Sequence, residues 1–109
     1  MKIWLDDQMS DPESPKRWPP EEFIGVRNLA ELKKLLERSL EEIEVMDFDH
    51  DLGDFDENDE EITGYDIIKW MTEHCLDRWP KIVLVHSTNP AGVKNILEHD
   101  AFVRRRLLP

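Results

Sequence analysis

Val45-Met46-Asp47-Phe48-Asp49-His50-Asp51-Leu52-Gly53-Asp54 is the stretch on which the fold turns. It starts within a short apolar run, Ile43 to Phe48, and ends in carboxylates around one histidine. The run reads as a strand that delivers charge to one rim of a sheet. Like charges about 4 Å apart repel by roughly 4 kcal/mol at an effective dielectric near 20. A bound cation, raised pKa values or solvent exposure must offset that cost.

On either side of this strand the pattern alternates. Lys2 to Asp6 reads as a buried strand closed by Asp6-Asp7. Pro12, Pro15, Pro19 and Pro20 then exclude both helix interior and central strand over residues 8–22. Phe23 to Arg27 is a short second strand. Asn28 caps a helix, with Glu31 placed as in a capping box, and Leu29, Leu32, Leu35, Leu36, Leu40 and Ile43 form its buried stripe. After an acidic loop from Asp51 to Ile62, Thr63-Gly64-Tyr65-Asp66 is a second cap, and Ile67, Ile68, Met71 and Cys75 continue one helical face. Lys81 to Val85 is the most strand-like run. It ends in His86-Ser87-Thr88, and Asn89-Pro90 opens a last helix whose inward face is Val93, Ile96 and Leu97. The tail from Ala101 to Pro109 fits a docking helix or an extended arm.

Strands alternating with helices imply right-handed βαβ crossovers and a largely parallel sheet. The expected fold is a single α/β domain spanning residues 1–109, an open sheet of about four strands with helices on both faces. The formal net charge is −11, with nine acids between Asp47 and Glu61, a surface that repels bulk duplex DNA and anionic membranes. No apolar run approaches the length of a membrane span. One cysteine, Cys75, rules out an internal disulfide and suits a reducing, cytoplasmic setting; it reads as a small core residue.

In open α/β sheets, ligands bind beyond the carboxyl ends of the strands. Three strands end in polar residues here, Asp6-Asp7, Asp49-His50-Asp51 and His86-Ser87-Thr88, and parallel strands bring those ends to one rim. Asp6, Asp7 and Asp49 offer hard oxygen ligands suited to Mg²⁺ or Mn²⁺. Ser87 and the amides opening the last helix are donors for a phosphoryl oxygen. His50 and His86 flank the rim as candidate general acid, general base or phosphate donor. His74 and His99 read as surface residues, Asp47 as support for its strand, and the acids from Asp54 to Glu61 as a solvated loop. A calcium-hand reading fails at Gly53 and Asp54, which stand where an oxygen ligand and the turn glycine belong. Arg104 to Arg106 could meet phosphates but reads as a solvated tail.

Together these residues resemble the receiver superfamily of two-component signalling: an acidic pair after the first strand, Asp49 at a central strand end, and Ser87-Thr88 after the next. The chain is truncated relative to a full, flavodoxin-like receiver. Its last lysine, Lys94, lies in the helix after Asn89, and no fifth strand carries a lysine. More closely it resembles the cyclic-phosphate processing receiver-like branch, through Lys2-Ile3-Trp4-Leu5-Asp6-Asp7, Asp49-His50-Asp51-Leu52-Gly53, Thr63-Gly64-Tyr65-Asp66 with Trp70, and His86-Ser87-Thr88-Asn89-Pro90 with Gly92 and Asn95. That resemblance implies action on cyclic phosphates, including 2′,3′-cyclic ends of RNA. It assigns Asp6, Asp7 and Asp49 to a metal, and His50, Asp51, His86, Ser87 and Asn89 to the substrate side. The leading expectation is a metal-dependent phosphoesterase acting on a small phosphate-bearing ligand or RNA end. The alternative is a non-enzymatic receiver-like module that regulates a protein partner. A haloacid-dehalogenase-like phosphatase, suggested by Asp47-Phe48-Asp49 with Ser87 and Lys94, lacks its final acidic motif.

Overall fold

A computed structural model of the chain describes residues 1–9, 12–13, 18–49, 54–86 and 90–107. Among them, strands β1 (Lys2–Leu5), β2 (Phe23–Val26), β3 (Val45–Phe48) and β6 (Ile82–Val85) form one parallel sheet in the order β2-β1-β3-β6. Helix α1 (Leu29–Arg38) connects β2 to β3, α2 (Gly64–His74) leads towards β6, and α3 (Pro90–Leu107) follows it. This is a receiver-like α/β fold. The expected strand from Ile43 starts formally at Val45, yet its ladder begins earlier: Glu44 N–H donates to the Met1 carbonyl, and the Ile43 carbonyl accepts from Lys81 N–H.

The register pairs Leu5 with both Val26 and Phe48, and Phe48 with Val85. Because side chains alternate along a strand, Ile3, Leu5, Val26, Met46, Phe48 and Val83 share one face. All three helices join that face in a single core, through Leu32 and Leu36 of α1, Ile67, Ile68 and Met71 of α2, and Ile96 of α3. Fully burying a side chain of this kind stabilises the fold by about 1.5–3 kcal/mol before entropy is counted. The other face carries Trp4, Phe23 and Asp47. There Met9, buried in the segment after β1, packs so close to Gly25 that a Cβ at that position would lie 2.9 Å from the Met9 Cε.

Local chemistry sets the helix limits. Asn28 Oδ1 accepts from Glu31 N–H at 2.9 Å, but the Glu31 carboxylate reaches past the cap to Arg27 N–H at 2.8 Å. Thr63 and Asp66 form a complete reciprocal box. The acidic segment expected as a loop contains a two-stranded antiparallel hairpin, β4 (Asp54–Phe55) with β5 (Glu61–Ile62). Asp54 is correspondingly more than a solvated acid, since its Oδ2 accepts from Leu29 N–H at 3.3 Å in the first turn of α1. The tail resolves to helix as far as Leu107: Val103, seven residues after Ile96, is buried, and the Arg104 guanidinium bonds Asp100 and the Lys81 carbonyl.

His99 is a second correction. It packs between α2 and α3, edge-on to Tyr65 with ring centroids 5.8 Å apart, and its Nε2 lies 2.7 Å from Thr72 Oγ1. The Thr72 hydroxyl spends its one proton on the Ile68 carbonyl, so His99 Nε2–H must be the donor. Burial, helped by the Lys69 charge, lowers the His99 pKa. His74 is exposed, as expected, and Cys75 is half-buried against the core with its thiol pKa pushed up chiefly by burial.

Candidate functional site

The sheet ladder continues one residue beyond three strands. Asp6 N–H donates to the Val26 carbonyl at 3.0 Å, Asp49 N–H to Leu5 at 2.8 Å, and His86 N–H to Phe48 at 2.9 Å. The three side chains therefore occupy defined sheet positions rather than loop positions. Trp4, Asp47 and Leu84 are register partners, and Asp6, Asp49 and His86 form the next row on the same face.

At this rim, one ligand oxygen each from Asp6, Asp7 and Asp49 lies within 4.8 Å of the others. Asp6 is fully buried and Asp49 is 3% exposed, while Asp7 is the more open of the three. Carboxylates this close match the hard-oxygen donor set of Mg²⁺ or Mn²⁺, with Asp7 the member most open to solvent. The donor chemistry fits such an ion.

His86 is held on three sides. Its Nδ1 lies 2.7 Å from Asp47 Oδ1, its Nε2 lies 2.9 Å from Asp6 Oδ2, and its ring stacks on Trp4 with centroids 3.9 Å apart and planes 4° from parallel. Burial alone would lower its pKa. The hydrogen bonds and charges of Asp47 and Asp6 outweigh burial and raise it to about 9. At neutral pH the ring is an imidazolium donating from both nitrogens, because a carboxylate can only accept. Asp6 is itself fully oriented, since its Oδ1 accepts from Gln8 N–H at 2.8 Å.

Of the residues expected at the site, Asp6, Asp7, Asp49 and His86 are brought together. His50, Asp51, Ser87 and Asn89 lie outside the described residues. Asp47, expected only to support its strand, has a different place: it anchors His86. Trp4 was likewise missed as the ring beneath His86. Register held the signal, because Asp47 is one strand over from Trp4 and two residues before Asp49.

No helix among the described residues is long and apolar enough to cross a membrane. Neither the curated proteins nor the solved structures contain a significant match to this chain. The family model described as the cyclic-phosphate processing receiver domain matches residues 1–99, a span that contains β1, Asp49, α2 and the whole acidic rim. On that match and this fold, the chain belongs to the cyclic-phosphate processing receiver domain family.

Proposed function

We propose that the domain is a metal-dependent phosphoesterase that opens cyclic phosphates, with 2′,3′-cyclic RNA ends as the substrate class. The observation behind this reading is the pair of buried carboxylates, Asp6 and Asp49, converging with Asp7 at the strand-end rim of a cyclic-phosphate family member. A Mg²⁺ or Mn²⁺ ion held by these residues would polarise a phosphoryl oxygen and lower the pKa of a bound water. Asp6 and Asp49 hold the site's geometry through their backbone bonds to the sheet. His86 adds a fixed positive charge that partly offsets the repulsion between carboxylates. Both its nitrogens are engaged, so general acid chemistry passes to His50, the chain neighbour of Asp49, which protonates the departing alkoxide. Ser87, Asn89 and Asp51, which lie outside the described residues, are the proposed substrate-binding residues. A single free cysteine suits a cytoplasmic setting for this chemistry.

The test is turnover of a 2′,3′-cyclic nucleotide with Mg²⁺ or Mn²⁺, comparing wild type with Asp49→Asn. Metal-dependent hydrolysis lost in the variant is expected; no turnover above background with either ion removes the proposal.

One observation favours a second reading, a regulatory module that docks a partner. The sheet's outer strand β6 leaves Ile82 and Leu84 nearly half exposed. A stable aspartyl-phosphate on Asp49 after incubation with acetyl phosphate, without cyclic-nucleotide turnover, would favour that module.

A further inference from the structure

We propose that Asp47 is a positioning residue for the cation site, acting through His86 to hold the Asp6 carboxylate in its ligating orientation. The inference rests on the metal-site reading above and adds to it a residue that does not touch the ion. The chain of contacts is continuous: Asp47 Oδ1 to His86 Nδ1 at 2.7 Å, and His86 Nε2 to Asp6 Oδ2 at 2.9 Å. An imidazole ring is rigid, so fixing one nitrogen fixes the direction of the other. Trp4 restrains the remaining freedom by stacking on the ring at 3.9 Å, which blocks rotation out of the plane containing both carboxylates. Asp47 is set in the middle of the sheet, paired in register with Trp4 and Leu84, so its carboxylate sits on a stiff support.

Groups hydrogen-bonded to a ligating carboxylate from outside the coordination sphere, as His86 is to Asp6, typically change metal affinity by about 10–100-fold when removed, and Asp47 acts by holding that group in place. A half-buried acid placed mid-strand on β3, where β-propensity is poor, is otherwise unexplained by packing. An isolated charge would act differently. It would attract the cation across space whether or not His86 were present, and the double-mutant cycle separates the two cases.

The experiment measures Mn²⁺ affinity by electron paramagnetic resonance for wild type, Asp47→Asn, His86→Gln and the double variant, each checked for folding by circular dichroism. Asp47→Asn is expected to weaken binding by about tenfold or more in the wild-type background and by less than about twofold in the His86→Gln background. Equal losses in both backgrounds overturn the proposal, because Asp47 then acts as a bare charge. Wild-type affinity in a folded Asp47→Asn protein also overturns it. Should that variant not fold, Asp47→Glu keeps the charge but displaces the carboxylate by a methylene: weakened binding supports a positional role, and unchanged binding overturns it. Absence of Mn²⁺ binding by the wild type would instead sink the metal-site reading, and this inference with it.

Discussion

The His86 imidazole is pinned between Asp47 and Asp6, its Nδ1 2.7 Å from the first and its Nε2 2.9 Å from the second, so β6 is tied to both β3 and the end of β1 across one face of the sheet. A histidine that holds its proton more tightly when folded stabilises the fold fully below pH 6.5, where folded and unfolded chains are both protonated. The benefit declines above that point and is gone once pH has risen through about 9. In chelator, the wild-type melting temperature should therefore fall between those pH values by about 5 °C or more. His86→Gln should start lower and lose much of that slope. Parallel pH profiles for the two proteins would contradict the assignment.

Three carboxylates gathered within 4.8 Å stabilise a cation and destabilise the metal-free protein. Asp49→Asn removes one charge from the group while keeping the side-chain shape. Metal-free, the variant should melt at or above the wild-type temperature. Adding MgCl₂ should raise the wild-type value, by linkage to the folded state, and leave the variant nearly unchanged. Thermal melts with and without Mg²⁺ decide the matter.

Arg78 closes the far end of α1. Its guanidinium donates to the carbonyl of Leu36 at 2.7 Å and of the C-cap Ser39 at 2.8 Å, which helix geometry leaves without intrahelical partners, and to that of Glu41 at 3.0 Å in the segment beyond. Arg78→Ala should cost about 2–3 kcal/mol in urea unfolding. Arg78→Lys should recover little, since an ammonium cannot match a planar fork aimed at three oxygens.

The reciprocal box at the start of α2 offers a smaller, local test. Thr63 Oγ1 accepts from Asp66 N–H at 3.2 Å, and Asp66 Oδ2 accepts from Thr63 N–H at 2.9 Å. Although burial opposes it, these bonds and Lys69 lower the Asp66 pKa. Thr63→Ala should destabilise by about 1 kcal/mol, with Mn²⁺ affinity unchanged. A large loss of affinity would mean that the cap helps hold the site.

Periodicity and capping made much of the architecture legible. Leu32 and Leu36, Ile67, Ile68 and Met71, and the alternating Ile3 and Leu5 are local patterns whose period follows from helix and strand geometry, and they occupy the core as expected. The carboxylates at strand ends were legible for a related reason: parallel strands must end on a common rim. The hairpin between Asp54 and Ile62 was hidden because the segment's acidity resembles that of a solvated loop, and two-residue strands carry too few side chains to show alternation. His99 was misread because a helix stripe identifies its buried centre more clearly than its margins, where a polar ring can pack if a partner such as Thr72 is present.

The amino-acid order by itself determined the helices, the four strands of the main sheet with their parallel arrangement, and the identity of Asp6, Asp7 and Asp49 as a group, because each depends on local spacing or on the end of a strand. Tertiary structure alone decided what His86 and Asp47 do. They are 39 residues apart in the chain, and only strand order and register place them on neighbouring strands and on one face, close enough to form a hydrogen bond. In the sequence, His86 is a candidate acid or base; in the folded sheet, two carboxylates and a tryptophan ring make it a fixed cation.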